Sequence, residues 1–534
     1  MKNIQLIFLS VFSGFMLSMP WLGGEPGWIL ILAFIPLLAV EDFVAKRKEA
    51  IHPFTFWGYA FLSFLVWNAL STWWIAYAAL FGMILIVVLN ALLMATIWWL
   101  FHLMKRFFNP ALGSFALVVF WLSFEYLHFN WEIAWPWLTL GNGFANQVAM
   151  VQWYEYTGVL GGSLWVLILN LLFFKAFKFC YPRFSLAAIP VFFLFIVFLV
   201  VPWSISSHRY KHYREHGKSY NIVILQPNVD PYSEKFTKGT QKEQLQTLLQ
   251  LTDSMVTDST DYVVGPETAL QPLWQNDSLV INRQIVPFIE RTKRHPRLNF
   301  VLGAMTKKTF QPNSDLPESA RKFENRDLYY DVYNSALQIN DHREIEIYHK
   351  SILVSGVEKM PFSKYFSFIE KYIVNLGGTT GSLGKQKEPS VFTGTSGVKV
   401  GPIICFESAF SQYVSKFVKK GAQLLFVITN DGWWKDSAGY KQHFSYARLR
   451  AVETRRSIAR SANTGLSALI NQRGDIIEMA PHGIRAAIKG QLKVNDKMTF
   501  YMRYGDYLGR ISLFISVMLL LYFFTQSRIR KTSI

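Results

Sequence analysis

Residues 398–410 read VKVGPIICFESAF, an apolar run that turns reactive where it ends. Val400 to Ile404 are small or β-branched and suit a buried strand, and Cys405 and Glu407 stand just where that strand stops. Cys405 is one of only two cysteines in 534 residues. A free cysteine is as often a small buried hydrophobe as a nucleophile, so the residues at other strand ends have to decide between the two.

The same pattern recurs on both sides of this stretch. YNIVILQPN, TDYVVGPET, LNFVLGAM, DVYNSALQI and EIEIYHK precede it, and AQLLFVITND, LSALINQRG and GIRAAIKG follow. Helical patterns separate them at about 240–256, 280–292, 408–419 and 440–462, the last placing Phe444, Ala447, Ala451, Val452, Ile458 and Ala459 at near-helical spacing. Strands mixed with covering helices predict a layered α/β domain with its ligands at the strand ends. The polar, turn-rich segment 307–327 reads as a surface loop.

The rest of the chain has a different solvent. Hydrophobic residues make up 51% of it, with 18 Trp and 45 Phe. Seven apolar segments lie at roughly 4–20, 27–43, 56–75, 79–101, 111–128, 156–174 and 184–204, each near the length of a membrane-crossing helix, and an eighth spans roughly 508–526. This predicts a multi-pass α-helical membrane bundle of about eight helices. Its parts are a seven-helix region 1–205, an outer domain 206–507, an eighth helix 508–526 and a basic tail 527–534. Lysine and arginine cluster at 45–50, 104–107, Lys175, Lys178, Arg183, Arg528, Arg530 and Lys531, whereas the turns at 21–27 and 76–78 carry none. By the positive-inside rule both termini are cytoplasmic and the domain 206–507 lies on the outer side. No small-residue cleavage site follows GFMLSMPWLGGEP, so the first segment is expected to be retained.

Net charge is +18. The basic residues flank apolar segments or mix with acids, without zinc-finger spacing or a long basic helix, which argues against nucleic acid as partner. No metal-ligand spacing is present and no cofactor is expected. Asn68 and Asn90 lie inside apolar spans, where a buried amide wants a helix–helix hydrogen bond, and each reads as structural glue. The aromatic loop 125–150 reads either as an interfacial belt or as a floor or gate beneath the outer domain.

Three strand ends carry residues that a core does not need: Glu267, Lys350 and Cys405. A lone glutamate or lysine there is ordinarily a solvated cap. Together they make coherent chemistry, in which a carboxylate acts as general base for a thiol and an ammonium stabilises the thiolate or the oxyanion. A Cys–His pair is the alternative. His349 alternates with Lys350 and points to the opposite face, while His443 stays open as a partner.

Gly265-Pro266-Glu267, the YHK of 348–350, CFES of 405–408 and TNDGWW of 429–434 resemble the Glu-Lys-Cys constellation of the nitrilase superfamily, and within it the apolipoprotein N-acyltransferase family. The resemblance spans nearly the whole chain and implies a four-layer αββα sandwich for the outer domain. It implies Glu267 as general base, Lys350 as oxyanion stabiliser and Cys405 as nucleophile. Supporting roles fall on Glu358, Phe406, Glu407 and Asn430, and Trp433 and Trp434 become lipid-facing or lid candidates. Gln226, Pro227 and Asn228 match a family segment, and 447–465 its closing helix and turn. Where the family pattern reads LVPFGEYVP, this chain reads LVSGVEKMP, with Ser355, Val357 and Lys359 at altered positions. The implied activity is ping-pong transfer of an acyl chain from a phospholipid to the N-terminal cysteine α-amine of a diacylglyceryl-apolipoprotein, in a bacterial inner membrane with a periplasmic catalytic domain. The competing readings are a membrane-tethered amidase that hydrolyses a small amide, and a channel or transporter with an inert outer domain.

Overall fold

The computed structural model describes residues 2–532, apart from 25, 181–182, 238, 342–343 and 360–381. Pro361, which closes the LVSGVEKMP segment, and the last residues of the basic tail lie outside the described residues. The chain forms two compact units, Met1–His212 with Tyr504–Ile534, and Tyr213–Arg503.

The first unit is helical. Among the described residues, seven helices are long and apolar enough to cross a membrane: Asn3–Leu22, Gly27–Ala45, Leu80–Phe107, Pro110–Phe129, Val159–Cys180, Ala188–His212 and Tyr507–Arg530. The segment expected at 56–75 is the helix Phe54–Thr72, whose Trp, Asn, Ser and Thr residues keep its hydropathy below that of the seven. Asn90 Nδ2 donates to Asn68 Oδ1 at 2.7 Å, the interhelical bond that two amides in an apolar span require. Gly27–Ala45 is interrupted at Phe34, just before Pro36, and Asn170 repairs the break. It accepts from Phe34 N at 2.9 Å and donates to Leu30 O at 2.8 Å. Two acidic residues of the bundle are paired with basic ones: Glu41 meets His102 at 2.7 Å and also Lys105, and Asp42 meets Lys178 at 2.5 Å.

The aromatic loop departs from the expectation of an interfacial belt. Trp135, Trp137, Leu140 and Phe144 are buried within the helical unit, and only Trp131 among these rings is exposed. Gly141 permits this packing, since a Cβ there would lie 2.0 Å from Val159 O.

The second unit contains two sheets. One is formed by β1 (Ser219–Gln226), β2 (Tyr262–Val264), β3 (Leu270–Trp274), β4 (Asn299–Phe310), β5 (Arg321–Lys322), β6 (Tyr329–Ile339), β7 (Glu346–His349) and β14 (Ala486–Lys493). Its order is β14-β1-β2-β4-β6-β5, with β3 on β4 and β7 on β6. The other runs β13-β12-β11-β10-β9-β8. Its strands are β8 (Phe392–Thr393), β9 (Lys399–Ile404), β10 (Leu424–Thr429), β11 (Ile458–Ala462), β12 (Ser467–Ile470) and β13 (Ile476–Ala480). Each sheet is built on three parallel strands, β1-β2-β4 and β9-β10-β11. The parallel strands are apolar on both faces because both are covered. On the inner side the sheets meet, with Tyr262 edge-on to Phe426 at 5.2 Å and Ser461 Oγ donating to Leu225 O at 2.7 Å. On the outer side of the first sheet, Leu248 of the helix Gln241–Met255 and Phe288 of Val286–Arg294 join a core with Val223, Val263 and Phe300. The helices Ser411–Lys419 and Ala438–Thr454 pack against β9 and β11 of the second sheet. The result is the αββα sandwich.

Two expectations are corrected. The helix expected over 440–462 stops at Thr454, because Arg455 turns left-handed at φ 51°, and Ile458 and Ala459 pair with Leu425 and Phe426 as β11. The segment 307–327 is not all loop: Lys307–Phe310 extend β4 along β6, and Arg321–Lys322 form β5.

Candidate active site

The reactive residues follow strands that run in one direction within each sheet. Glu267 lies three residues beyond β2, Lys350 directly after β7, Cys405 directly after β9 and Asn430 directly after β10. Such ends bring loops from different strands to one place. The backbone there is strained, for Thr268 has φ 49° and Cys405 itself φ 50°. A left-handed non-glycine residue costs about 1–3 kcal/mol and persists where the surroundings dictate it. At Cys405 it turns the chain sharply from β9 into the short helix Cys405–Ala409, which leaves the residue partly exposed between a buried strand and a buried turn.

Lys350 is almost wholly buried and stands between two carboxylates, 3.2 Å from Glu267 Oε1 and 2.9 Å from Glu358 Oε1. Asn334, in the middle of β6, donates to the same two oxygens at 2.6 and 3.0 Å. Asn430 N donates to Glu267 Oε2 at 3.0 Å, so both oxygens of this buried carboxylate are held. Burial favours its neutral form, yet Lys350, the Asn334 hydrogen bond and Lys235 hold Glu267 below the usual carboxyl value. Burial works against the Lys350 ammonium as well, and Glu358 and Glu267 raise it well above the ordinary lysine value. The Cys405 thiol is pushed up, first by burial and then by the Glu267 carboxylate, against the opposing pull of Lys350. At neutral pH the resting site is therefore carboxylate, ammonium and thiol.

Residues 224–496, just over half of the chain, match the carbon-nitrogen hydrolase family, and residues 13–172 match the apolipoprotein N-acyltransferase N-terminal domain. The chain belongs to the carbon-nitrogen hydrolase family, and it matches apolipoprotein N-acyltransferases over nearly its whole length. The apolipoprotein N-acyltransferase of Chlorobaculum tepidum is 28% identical over 528 residues, covering 96% of each chain. That of Thermotoga maritima is 27% identical over 538 residues, covering 97% of this chain and 93% of the other. That of Geobacter metallireducens is 27% identical over 510 residues, covering 93% and 91%. The chain is accordingly a membrane enzyme of the acyltransferase and amidase type.

The remaining residues named from this family's pattern fall into three groups. Glu358 belongs with Lys350, and its Oε2 also accepts from Val354 N at 2.9 Å, which closes the altered LVSGVEKMP turn on itself. Glu407 lies under the Cys405 turn. It accepts from Tyr348 Oη at 2.6 Å, Ser351 N at 2.7 Å and Ile404 N at 2.9 Å, tying the end of β9 to the residues after Lys350. Burial pushes this carboxyl up to about 7 in spite of those donors. Phe406 packs edge-on to Phe410 at 5.0 Å. Half-buried Trp433 stacks on Phe236 at 6.1 Å and meets Tyr232 edge-on at 5.4 Å, whereas Trp434 packs on His443 at 5.5 Å.

Both histidines weighed as thiol partners are engaged by other groups. His349 bonds Ser335 Oγ at 2.8 Å on the other side of β7. His443 Nε2 lies 2.9 Å from Ser408 Oγ and 3.1 Å from the Cys405 main-chain oxygen, and its Nδ1 lies 2.9 Å from Asp431 Oδ1, so the ring braces the turn. Gln226 and Asn228 fasten the end of β1 to the turn at 481–484 rather than entering the site. Two residues in contact with Glu267 escaped the sequence reading. Asn334 is one of two amides, with Gln338, inside an otherwise strand-like run. Lys235, in the polar stretch DPYSEKFTKGT, resembled any surface lysine, yet it is buried and donates to the Glu267 main-chain oxygen at 2.8 Å.

Proposed function

We propose that this protein transfers a fatty acyl chain from a membrane phospholipid to the N-terminal α-amine of a diacylglyceryl-apolipoprotein through a thioester on Cys405. The observation that carries this reading is the buried Glu267–Lys350 pair with the partly exposed Cys405, whose surroundings favour carboxylate, ammonium and thiol, in a chain whose other unit is made of membrane-length helices. In the first half-reaction the Cys405 sulfur attacks the ester carbonyl as its proton passes to Glu267. The oxyanion gathers on the Lys350 side, where a single donor is commonly worth about 3–4 kcal/mol. Collapse breaks the ester C–O bond, the departing lysophospholipid oxygen takes the proton from Glu267, and the acyl group stays on sulfur. In the second half-reaction the neutral amine attacks the thioester and gives a proton to Glu267. Collapse breaks the C–S bond, and Glu267 returns that proton to Cys405.

Membrane attachment follows from the substrates. Each CH₂ withdrawn from an apolar phase costs about 0.8 kcal/mol, so neither long-chain donor nor lipidated acceptor leaves the bilayer cheaply. Trp433 with Tyr232 and Phe236 supplies an apolar rim suited to keeping water from a thioester. The basic clusters around Lys46, Lys105 and Lys178 support a topology with both termini in the cytoplasm and the sandwich in the periplasm. The test is purified protein given phospholipid vesicles and a diacylglyceryl lipopeptide. The expected product is the N-acylated lipopeptide with one equivalent of lysophospholipid. Release of free fatty acid without N-acylation, or turnover of a small amide instead, contradicts it.

A further inference from the structure

Lys235 lies in the segment that leads from β1 to the helix Gln241–Met255, where its neighbours Tyr232, Ser233 and Glu234 are exposed, yet Lys235 is 2% exposed. The backbone around it is pinned. Lys235 N donates to Asp230 O at 2.9 Å, and Lys235 O accepts from Gln244 Nε2 at 3.1 Å and Gln271 Nε2 at 2.8 Å. Its ammonium is thereby threaded inward onto the Glu267 main-chain oxygen at 2.8 Å. Tying down a carbonyl needs only a neutral donor, and burying a full charge to do it is costly unless the charge has a partner.

The partners are found by counting charge across the site. Glu267 from the loop after β2 and Glu358 from the turn after Lys350 are two buried or half-buried carboxylates, and Lys350 contacts both. Cys405 at the end of β9 and Asp431 after β10 are the other titratable groups there, and the neutral Asn334, Asn430 and Thr429 act on Glu267 or on the thiol by hydrogen bonds. Asp431 is matched by Arg460 at 2.7 Å. With Lys350 alone, one ammonium serves two carboxylates and little of its field is left for an oxyanion. We propose that Lys235 is a positioning residue that supplies the second positive charge of the site, keeping Glu267 ionised as base and freeing Lys350 to stabilise the oxyanion. This rests on Glu267 being the base for Cys405. Burial pulls the Lys235 ammonium down to about 8, so its charge fades at mildly alkaline pH.

The experiment follows alkylation of Cys405 by iodoacetamide against pH in the full-length protein in detergent, with the modified peptide resolved by mass so that Cys180 does not contribute. Lys235→Gln keeps a donor for the Glu267 carbonyl but removes the charge, Lys235→Met removes both, and Lys235→Arg keeps the charge. The acid limb is expected to move up by about one pH unit in both K235Q and K235M, with rates on that limb roughly tenfold lower, and to return toward wild type in K235R. Wild type and K235Q should converge at neutral pH, above the shifted limb, where Glu267 is ionised in both. An unmoved limb in K235Q overturns the proposal, as does a loss seen in K235M and restored in K235Q, which marks a mere tether. If K235M does not fold, the Gln and Arg pair decides. Alkylation needs no lipid, so failure of acyl transfer with this pH pattern intact refutes the function proposed above while the role of Lys235 stands.

Discussion

Glu267 gathers more of the site's hydrogen bonds than Lys350 or Cys405, and in the proposed reaction its ionisation sets the pH range over which the thiol can react. Because its folded-state value is held below the usual 4.5, the carboxylate is ready throughout the neutral range and is lost as pH falls through that lowered value. Acylation of Cys405 should therefore be level at neutral pH and fall only on the acid side of the ordinary carboxyl range, which a single-turnover pH profile reads directly. Glu267→Gln should slow acylation by about 10²–10⁴-fold while leaving the fold intact. Asn334→Ala removes a donor at 2.6 Å and should move the acid limb upward. At this scale the sequence was legible wherever a reactive side chain follows an apolar strand, as at Glu267, Lys350 and Cys405. Asn334 and Lys235 were not legible, since burial of a polar residue is a property of the packed domain and a polar stretch such as DPYSEKFTKGT gives no sign of which lysine turns inward.

The turn after β9 is the element that presents the thiol, and two buried acids hold it. Glu407 binds it to the residues after Lys350, with Ile404 N on one oxygen and Ser351 N and Tyr348 Oη on the other. In Glu407→Gln an amide NH₂ replaces one acceptor and leaves one of these donors unsatisfied, at a cost of about 1–3 kcal/mol. A displaced nucleophile should also lower Cys405 acylation by one to two orders of magnitude with lipid affinity unchanged, a separation visible in kcat against KM. Asp431 holds the turn from the other side through His443, with Arg460 at 2.7 Å. Burial would raise its value, but Arg460 and His443 keep it well below 3.8. The stability it confers is thus present above the unfolded carboxyl value and is lost as pH falls through the folded one. Asp431→Asn leaves the buried Arg460 unpaired and should cost about 3–5 kcal/mol, read as a lower melting temperature of the full chain in detergent. The strands around this turn could be read from apolar runs. The end of the helix Ala438–Thr454 could not, because Ala, Val and Ile continue at acceptable spacing and the left-handed step at Arg455 that diverts the chain into β11 leaves no local signature.

For the whole molecule, hydropathy and charge carried most of the reading, because lipid demands long uninterrupted apolar helices and the two halves differ in solvent. The burial of Trp135, Trp137 and Phe144 was hidden from that reading, since an aromatic loop at an interface and one folded into a bundle have the same composition. The proposed topology predicts that a reporter fused after residue 534 is active only in the cytoplasm, and that in spheroplasts external protease reaches the unit Tyr213–Arg503. A protected unit or a periplasmic reporter refutes it. The central claim is that Cys405 carries the acyl chain, and mass spectrometry of the full-length protein after incubation with a phospholipid and no acceptor tests it most directly. A fatty-acyl mass on the Cys405 peptide, absent in Cys405→Ala and discharged by a lipopeptide with a free α-amine, is the predicted result. A wild-type Cys405 peptide that stays unmodified while acyl transfer proceeds contradicts the account.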